Sequence, residues 1–353
     1  MKKLLFYLLA SVCIIAIATM VGLSNASVQD RLMLSVIQNL MPDSRQSEVD
    51  SLSATVCGSR SPIPSPGRAQ TCVMVKAGED IFIVDIGDGS ANNLRNWNIP
   101  FNKIQSVLLT HLHSDHISDL ADLHQATWLM EGRTKKLDVY GPQGVSLVTR
   151  GFEEAYKLDY SYRNAHHGEE IAPLAVAGFN PHPIDLDNPI IFDDDSLKIT
   201  AFEVMHEPVK PALGYRFDYK GRSIVITGDT SFSKNVIDIS KGVDVLFHEA
   251  QANHMVSILE NFNLENGAPL RAKLMADIKT YHTTLVEAAE IANKAEVRQL
   301  IFYHLTPAPR SYITEKIFTR GVNQVRKNWV LSNDGTRVVL PVETDEINLS
   351  EIN

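Results

Sequence analysis

Several things are scarce in this chain, and each scarcity excludes something. Cysteine occurs three times in 353 residues. None of the three lies near a pair of histidines, so a zinc knuckle is excluded. Long apolar runs are nearly absent. Only Leu4 to Leu23 could span a bilayer at roughly 20 residues, which excludes a polytopic membrane protein. A basic excess is missing as well. Lys and Arg total 33 against 42 Asp and Glu, a formal charge of −9. A chain built to grip nucleic acid usually carries a basic footprint instead. No repeat and no low-complexity tract breaks the sequence. What remains is 44% hydrophobic and 21% charged, too apolar to be disordered and long enough to bury one large core or two small ones.

The front end stands apart. Lys2 and Lys3 precede the apolar run, and Ser24-Asn25-Ala26-Ser27 closes it with small residues. This pattern describes an export signal over residues 1–26, cleaved after Ala26, or an uncleaved membrane anchor through residues 4–23. Either places the body outside the cytoplasm, periplasmic or secreted. Removing residues 1–26 takes two lysines and no acidic residue, which moves the formal charge from −9 to −11. Cys57 and Cys72 flank a turn-rich loop. They read equally as a disulfide, which an oxidising compartment would permit, or as two buried thiols.

A helical lead-in is expected over 27–53, a main domain over 54–342 and a C-terminal tail over 343–353. Thr71–Lys76 and Asp80–Ile86 read as a strand hairpin, and Ile104–Thr110 as a buried strand. A helix is expected from His116 to Glu131, a strand at Leu137–Tyr140 and a helix from Gly141-Pro142 toward Leu158. Residues 159–195, rich in Pro, Asp, Asn and His, read as an insertion or lid. Strands follow at Leu197–Met205, Ala212–Tyr219, Ser223–Thr227, Val243–His248 and Gln299–Tyr303. Helices fit Gln251–Asn263, Leu270–Lys279 and Thr284–Lys294. Strands in both halves with helices between them predict an α/β fold of two sheets packed face to face, helices outside.

The chemistry concentrates in Thr110-His111-Leu112-His113-Ser114-Asp115-His116. Four metal-ligand side chains fall within six residues at the end of an apolar strand. Imidazoles and carboxylates at that density suit zinc or a similar divalent metal. His206, Asp229 and His304 each follow an apolar run, so three strands deliver one further ligand apiece at their C-terminal ends. The Asp229 carboxylate could bridge two cations. Ser231-Phe232-Ser233-Lys234 matches S-x-x-K but lacks the companion motifs of a serine hydrolase. His166, His167, His182 and His254 read as solvated.

Together these segments resemble the metallo-β-lactamase superfamily, in the branch that holds ribonuclease Z and the zinc-dependent arylsulfatases. Cys57 to Pro64 with Arg68, Val84 to Gly89, His111 to His116, Met205 to Arg216, Gly228-Asp229-Thr230, His248-Glu249-Ala250, His282-Thr283 and His304-Leu305 carry the resemblance in order. It implies a four-layer αββα fold and two divalent ions, zinc first, with manganese or iron as alternatives. His111, His113 and His206 would hold one ion, Asp115, His116 and His304 the other, and Asp229 would bridge. The nucleophile would be a hydroxide held by the metals. Asp115, His282 and His248 are the residues expected to act in catalysis. His282 would serve the leaving oxygen, His248-Glu249 would support the ligands, and Asp85 would hold the turn beneath them.

The ribonuclease Z members carry a tRNA-gripping arm between the third histidine and the bridging aspartate. Here His206 and Asp229 are 23 residues apart, filled by strand–turn–strand. The expected activity is therefore hydrolysis of a small ester, an aryl sulfate or a phosphodiester, with nucleic acid disfavoured as a partner. Alternatives are a lactonase or β-lactam hydrolase, a tRNA 3′-processing endonuclease, and a non-catalytic metal-binding envelope protein. Membrane contact is expected only through residues 4–23, and self-association is left open.

Overall fold

A computed structural model describes residues 7, 19–20, 22–40, 49–130 and 132–352. It divides into two compact units, residues 1–48 and 49–353. The first contains helix α1 (Ala26–Leu40), whose Val28, Leu32, Met33 and Val36 are exposed. Most of the expected signal or anchor lies outside the described residues. Among those described, no helix is long and apolar enough to cross a membrane.

The second unit begins with β1 (Ser51–Gly58), β2 (Cys72–Ala77), β3 (Asp80–Val84), α2 (Ser90–Asn96) and β4 (Ile104–Leu108). Then come α3 (Ser114–Ile117), α4 (Leu120–Leu129), β5 (Leu137–Gly141), α5 (Val145–Ile171), β6 (Phe179–Pro183), β7 (Ile190–Asp193) and β8 (Leu197–His206). Next are β9 (Val209–Tyr219), β10 (Arg222–Ile226), α6 (Lys234–Ile239), β11 (Val245–Gln251), α7 (Asn253–Glu265), α8 (Pro269–Ile278) and α9 (Leu285–Lys294). The chain closes with β12 (Gln299–Thr306), α10 (Tyr312–Phe318), α11 (Val322–Val325), β13 (Trp329–Leu331), β14 (Thr336–Pro341) and β15 (Asn348–Glu351).

One sheet has the order β15-β14-β1-β2-β3-β4-β5-β6, the other β13-β12-β11-β10-β9-β8-β7. Both are mixed, with parallel pairs at β3–β4 and β4–β5 in the first and at β10–β11 and β11–β12 in the second. The continuous apolar strands are explained by burial on both faces. Successive side chains alternate across a strand. Phe82 and Val84 therefore enter the core between the sheets with Phe217, Ile224 and Ile226, while Ile81 and Ile83 pack outward with Leu94, Leu120 and Leu123. On the second sheet Val225, Leu246 and Phe302 pack outward with Ala288 and Ile291 of α9. This is the αββα layering.

Three expectations are corrected. Residues 159–195 are not an irregular insertion. They hold the end of α5, which bends at Gly168 (φ 74°), and the strands β6 and β7. Pro181 and Pro183 disguise β6, yet an edge strand tolerates proline because one side of its ladder needs no donor. The lead-in ends earlier than residue 53, because β1 begins at Ser51 and pairs with β14 from that residue. The C-terminal stretch is no loose tail, since β15 pairs antiparallel with β14. The structure also joins Cys57 to Cys72, neighbours on β1 and β2 with Cα atoms 4.9 Å apart. Such a closure stabilises by about 3 kcal/mol on the chain-entropy account.

His124 shows how the outer layer is tuned. It accepts a hydrogen bond from the Gly178 N–H at 2.7 Å and packs on Trp128, Tyr160 and Phe179. Burial, aided by Arg133 and Lys136, drives its pKa from 6.5 to about 3. The unfolded chain therefore takes up a proton below pH 6.5 that the fold refuses. The associated stability is complete above 6.5 and is lost as pH falls toward 3. Urea denaturation at about pH 7.5 and about pH 5 should show the parent losing about 2 kcal/mol more than His124→Gln over that interval. Equal losses would contradict the assignment.

Candidate metal centre

The site is built where β4, β8, β10 and β12 end. Leu108 ends β4, and the chain then runs through Thr110, His111 and His113 into α3, which starts at Ser114 and carries Asp115 and His116. Asp85, just past β3, pins this turn. Its carboxylate accepts the Thr110 N–H and the Thr110 hydroxyl, both at 2.8 Å, and lies 2.8 Å from His116 Nδ1. Asp85 thus orients a candidate ligand histidine in addition to holding the turn, and fixes Nε2 as the free nitrogen. Two glycines make room. A Cβ at Gly87 would lie 2.1 Å from the Asp115 carbonyl oxygen, and one at Gly228 (φ 64°) would lie 2.7 Å from the Leu213 oxygen.

His206 ends β8 and directs Nδ1 at the Tyr281 carbonyl, 3.1 Å away, which leaves Nε2 for the site. His304 sits in β12 at a register shift opposite Glu249 and Ala250, with φ 46°. The bulge re-aims its side chain at the site. Asp85 (φ 57°) shares this left-handed backbone, and each such residue costs about 1–3 kcal/mol. Two strained residues beside one cluster of ligands indicate that position matters more here than local comfort.

The sequence-predicted ligands converge. His111, His113, His206 and Asp229 form one group whose candidate ligand atoms all lie within 4.8 Å of one another, and Asp115, His116 and His304 form another. Asp229 Oδ2 is 3.9 Å from both His111 Nε2 and His206 Nε2, and 3.5 Å from His116 Nε2. Its Oδ1 is 3.3 Å from His304 Nδ1. Asp115 Oδ2 approaches His304 Nε2 at 3.2 Å and His116 Nε2 at 3.5 Å. His116 Nε2, Asp229 Oδ1 and His304 Nδ1 are buried with no hydrogen-bond partner. Orphaned polar atoms this deep are costly unless a cation takes their lone pairs. The donor set, imidazole with carboxylate, fits divalent metals such as zinc.

Electrostatics follow from this crowding. Burial resists the Asp229 charge, but His304, His116 and His282 hold its pKa well below the ordinary carboxylate value. Burial opposes charge on His116 too, and Asp229, Asp85 and Asp115 nevertheless lift it well above 6.5. His111 moves the other way, pushed well down by burial and by His116.

His282 lies at the edge of the cluster. Its Nδ1 is 2.9 Å from Glu249 Oε1 and 4.0 Å from Asp229 Oδ2. Burial opposes its charge, yet Glu249 outweighs it and the pKa rises to about 9. His248 is different and corrects an expectation. It belongs to neither ligand group and does not line the cleft described below. Alternation along β11 explains this: Glu249 faces the site and accepts from His282 and from the Thr230 and Thr283 N–H groups, so its neighbour His248 faces away. His248 Nδ1 lies 2.8 Å from the Glu249 carbonyl oxygen, fully buried.

Three of the candidate ligands, His113, Asp115 and Asp229, line a cleft of about 580 Å³. One wall is the Ser61–Pro64 loop, the other is α8 with Tyr281. Sequence reasoning missed Tyr281 and Arg271, which also line it. Neither belongs to a motif, and only the packing of α8 reveals them. It also missed Asp334. That carboxylate accepts from Ser59, Ala69 and Asn93 and anchors the loop that ends at the cleft wall.

A β-lactamase superfamily domain matches residues 82–305, most of the second unit. The chain belongs to the metallo-β-lactamase superfamily. It is also similar to ribonuclease Z of Mycolicibacterium paratuberculosis, 32% identical over 259 residues, 73% of this chain and 87% of that protein. Ribonuclease Z of Mycobacterium bovis is 31% identical over 261 residues, again 73% of this chain and 87% of that one. Human tRNase Z, short form, superposes with a TM-score of 0.59 at 19% identity, covering 82% of this chain and 99% of that one. Zinc-bound PqqB from Methylobacterium extorquens gives 0.53 at 13%, covering 81% and 99%. These two likenesses are of fold. The fold is thus that of a metallo-β-lactamase-superfamily hydrolase, with histidine and aspartate clusters able to bind metal.

The role of Asp85 is open to test. Asp85→Asn keeps the size but loses the acceptor that orients His116, and should weaken zinc affinity by about 10- to 100-fold. Competition against a chromophoric chelator measures it. An unchanged affinity would remove Asp85 from the centre.

Proposed function

We propose that this chain is an exported, dinuclear metal-dependent hydrolase of small anionic esters, phosphodiesters or aryl sulfates. The observation that carries the reading is the Asp229 carboxylate, which belongs to the His111, His113 and His206 group and lies 3.5 Å from His116 and 3.3 Å from His304 of the other, while also lining the cleft. Two divalent ions bound there would supply an activated water and draw charge off the phosphoryl or sulfuryl oxygens. His111, His113 and His206 would hold one ion and Asp115, His116 and His304 the other.

The chain's own residues supply the rest. His282 donates from Nδ1 to Glu249, which frees Nε2 to hand a proton to the departing oxygen. The Glu249 carboxylate against Nδ1 favours the protonated ring. Arg271 makes no ion pair among the described residues and brings positive charge to the cleft, suited to an anionic ester. Export is proposed from Lys2, Lys3 and the apolar run to Leu23. N-terminal sequencing of the secreted product should begin at Ser27, whereas a membrane-retained product starting at Met1 would make the segment an anchor.

A second reading, cleavage of tRNA precursors, is favoured by the names of the curated relatives. Against it stand the acidic charge and the short path from His206 to Asp229. β8 pairs His206 with Val209, and β9 pairs Tyr219 with Arg222. Two tight turns therefore use the whole interval, and no arm projects from it.

Residues 27–353, zinc-loaded, should turn over bis-aryl phosphodiesters or aryl sulfates and leave a precursor tRNA intact. His116→Ala should lose at least about a hundredfold in kcat/KM. Turnover of lactones alone, or cleavage of the tRNA, would replace the proposal. His282→Ala should lose about 10²- to 10⁴-fold with a poor leaving group and much less with a good one such as 4-nitrophenolate. Equal losses on both would deny His282 its proton-donor role.

A further inference from the structure

The cleft is more than its floor. Helix α8 carries an apolar stripe that begins at the metal cluster and leaves the protein. Leu270, Leu274 and Ile278 recur every four residues, so they lie on one side of the helix. Ile278 is 9% exposed beside the ligands, Leu274 is 55% exposed halfway along, and Leu270 is 84% exposed at the outer end. Ile278 and Leu274 line the cleft, and Met275 lines it between them. Eight residues of helix rise about 12 Å. Across the cleft Ile63 stands between Pro62 and Pro64, so the facing wall is apolar as well.

Leu270, on the helix that walls the site, is left 84% exposed by the described residues. The gradient of exposure along the stripe leads from solvent to the ligand cluster. A polar ester with small substituents would use the floor and leave these walls in water. An ester with a long apolar group would cover them, each methylene contributing up to about fourfold in affinity.

We infer that the substrate is amphiphilic, an anionic ester whose apolar group lies along α8 between Leu274 and Ile63 and reaches outward toward Leu270. This rests on the hydrolase reading for the position of the ester, and it names the class of ester. The hydrophobic contact selects the substrate, and the metal ligands act on its polar end.

Calorimetric titration with non-hydrolysable alkylphosphonates, from methyl through butyl to octyl, tests this apart from turnover. With zinc-loaded protein, affinity should rise about two- to fourfold per methylene, and the heat capacity change should grow more negative with chain length. Leu274 is 55% exposed, so the neutral substitution Leu274→Gln should fold, as near-ultraviolet circular dichroism would verify. It adds no charge to the cleft and should cut the gain in affinity per methylene. With zinc removed, the slope should persist on a weaker baseline.

A flat series with methylphosphonate still bound would overturn the amphiphile inference and leave the hydrolase reading standing. A slope that survives in metal-free protein, with no gain on adding zinc, would support the groove and count against the metal-held ester. A slope unchanged by Leu274→Gln would overturn the assignment to α8.

Discussion

Everything at this site depends on one buried carboxylate. Asp229 is 3% exposed, lies within 4 Å of His111, His116, His206, His282 and His304, and has one oxygen with no hydrogen-bond partner. A lone carboxylate cannot stay ionised at that depth, because desolvation would neutralise it. It stays ionised because positive charge surrounds it, from protonated imidazoles or from metal ions bound by neutral ones. The Asp85–His116 and Glu249–His282 pairs carry the same logic one layer out. Each carboxylate fixes which imidazole nitrogen faces the centre.

The fold delivers that arrangement by packing two mixed sheets so that the ligand-bearing ends of β4, β8, β10 and β12 meet. The β4, β10 and β12 segments are apolar because they serve a core on both faces. The ligands come where that pattern stops, at turns or at a bulge. His304 and Asp85 take left-handed backbone for this reason. Loops with more freedom could not hold seven candidate ligand side chains so close, because ordering each would cost conformational entropy. The disulfide and Asp334 extend the same rigidity to the Ser61–Pro64 wall.

Much of this was legible in sequence, for identifiable reasons. The H-x-H-x-D-H segment is dense enough to be read without neighbours. His206, Asp229 and His304 could be placed because each follows an apolar run. What failed also failed for a reason. Strand β6 was hidden by Pro181 and Pro183, which only an edge position permits. β15 was hidden by its polar, exposed residues. The resemblance implies a role for His248 together with Glu249, but strand alternation sends these neighbours to opposite faces. Tyr281, Arg271 and the α8 stripe carry no motif at all. They gain meaning only once α8 is seen against the cleft, and they are where a small-ester hydrolase and a nuclease on one fold would differ.

The central claim is that Asp229 joins two metal sites. Anomalous diffraction at the zinc edge, from crystals of residues 27–353 saturated with zinc, tests it most directly. Two peaks flanking the Asp229 carboxylate, about 3.5–4 Å apart, are predicted. One peak alone at saturation, or peaks remote from Asp229, would contradict it.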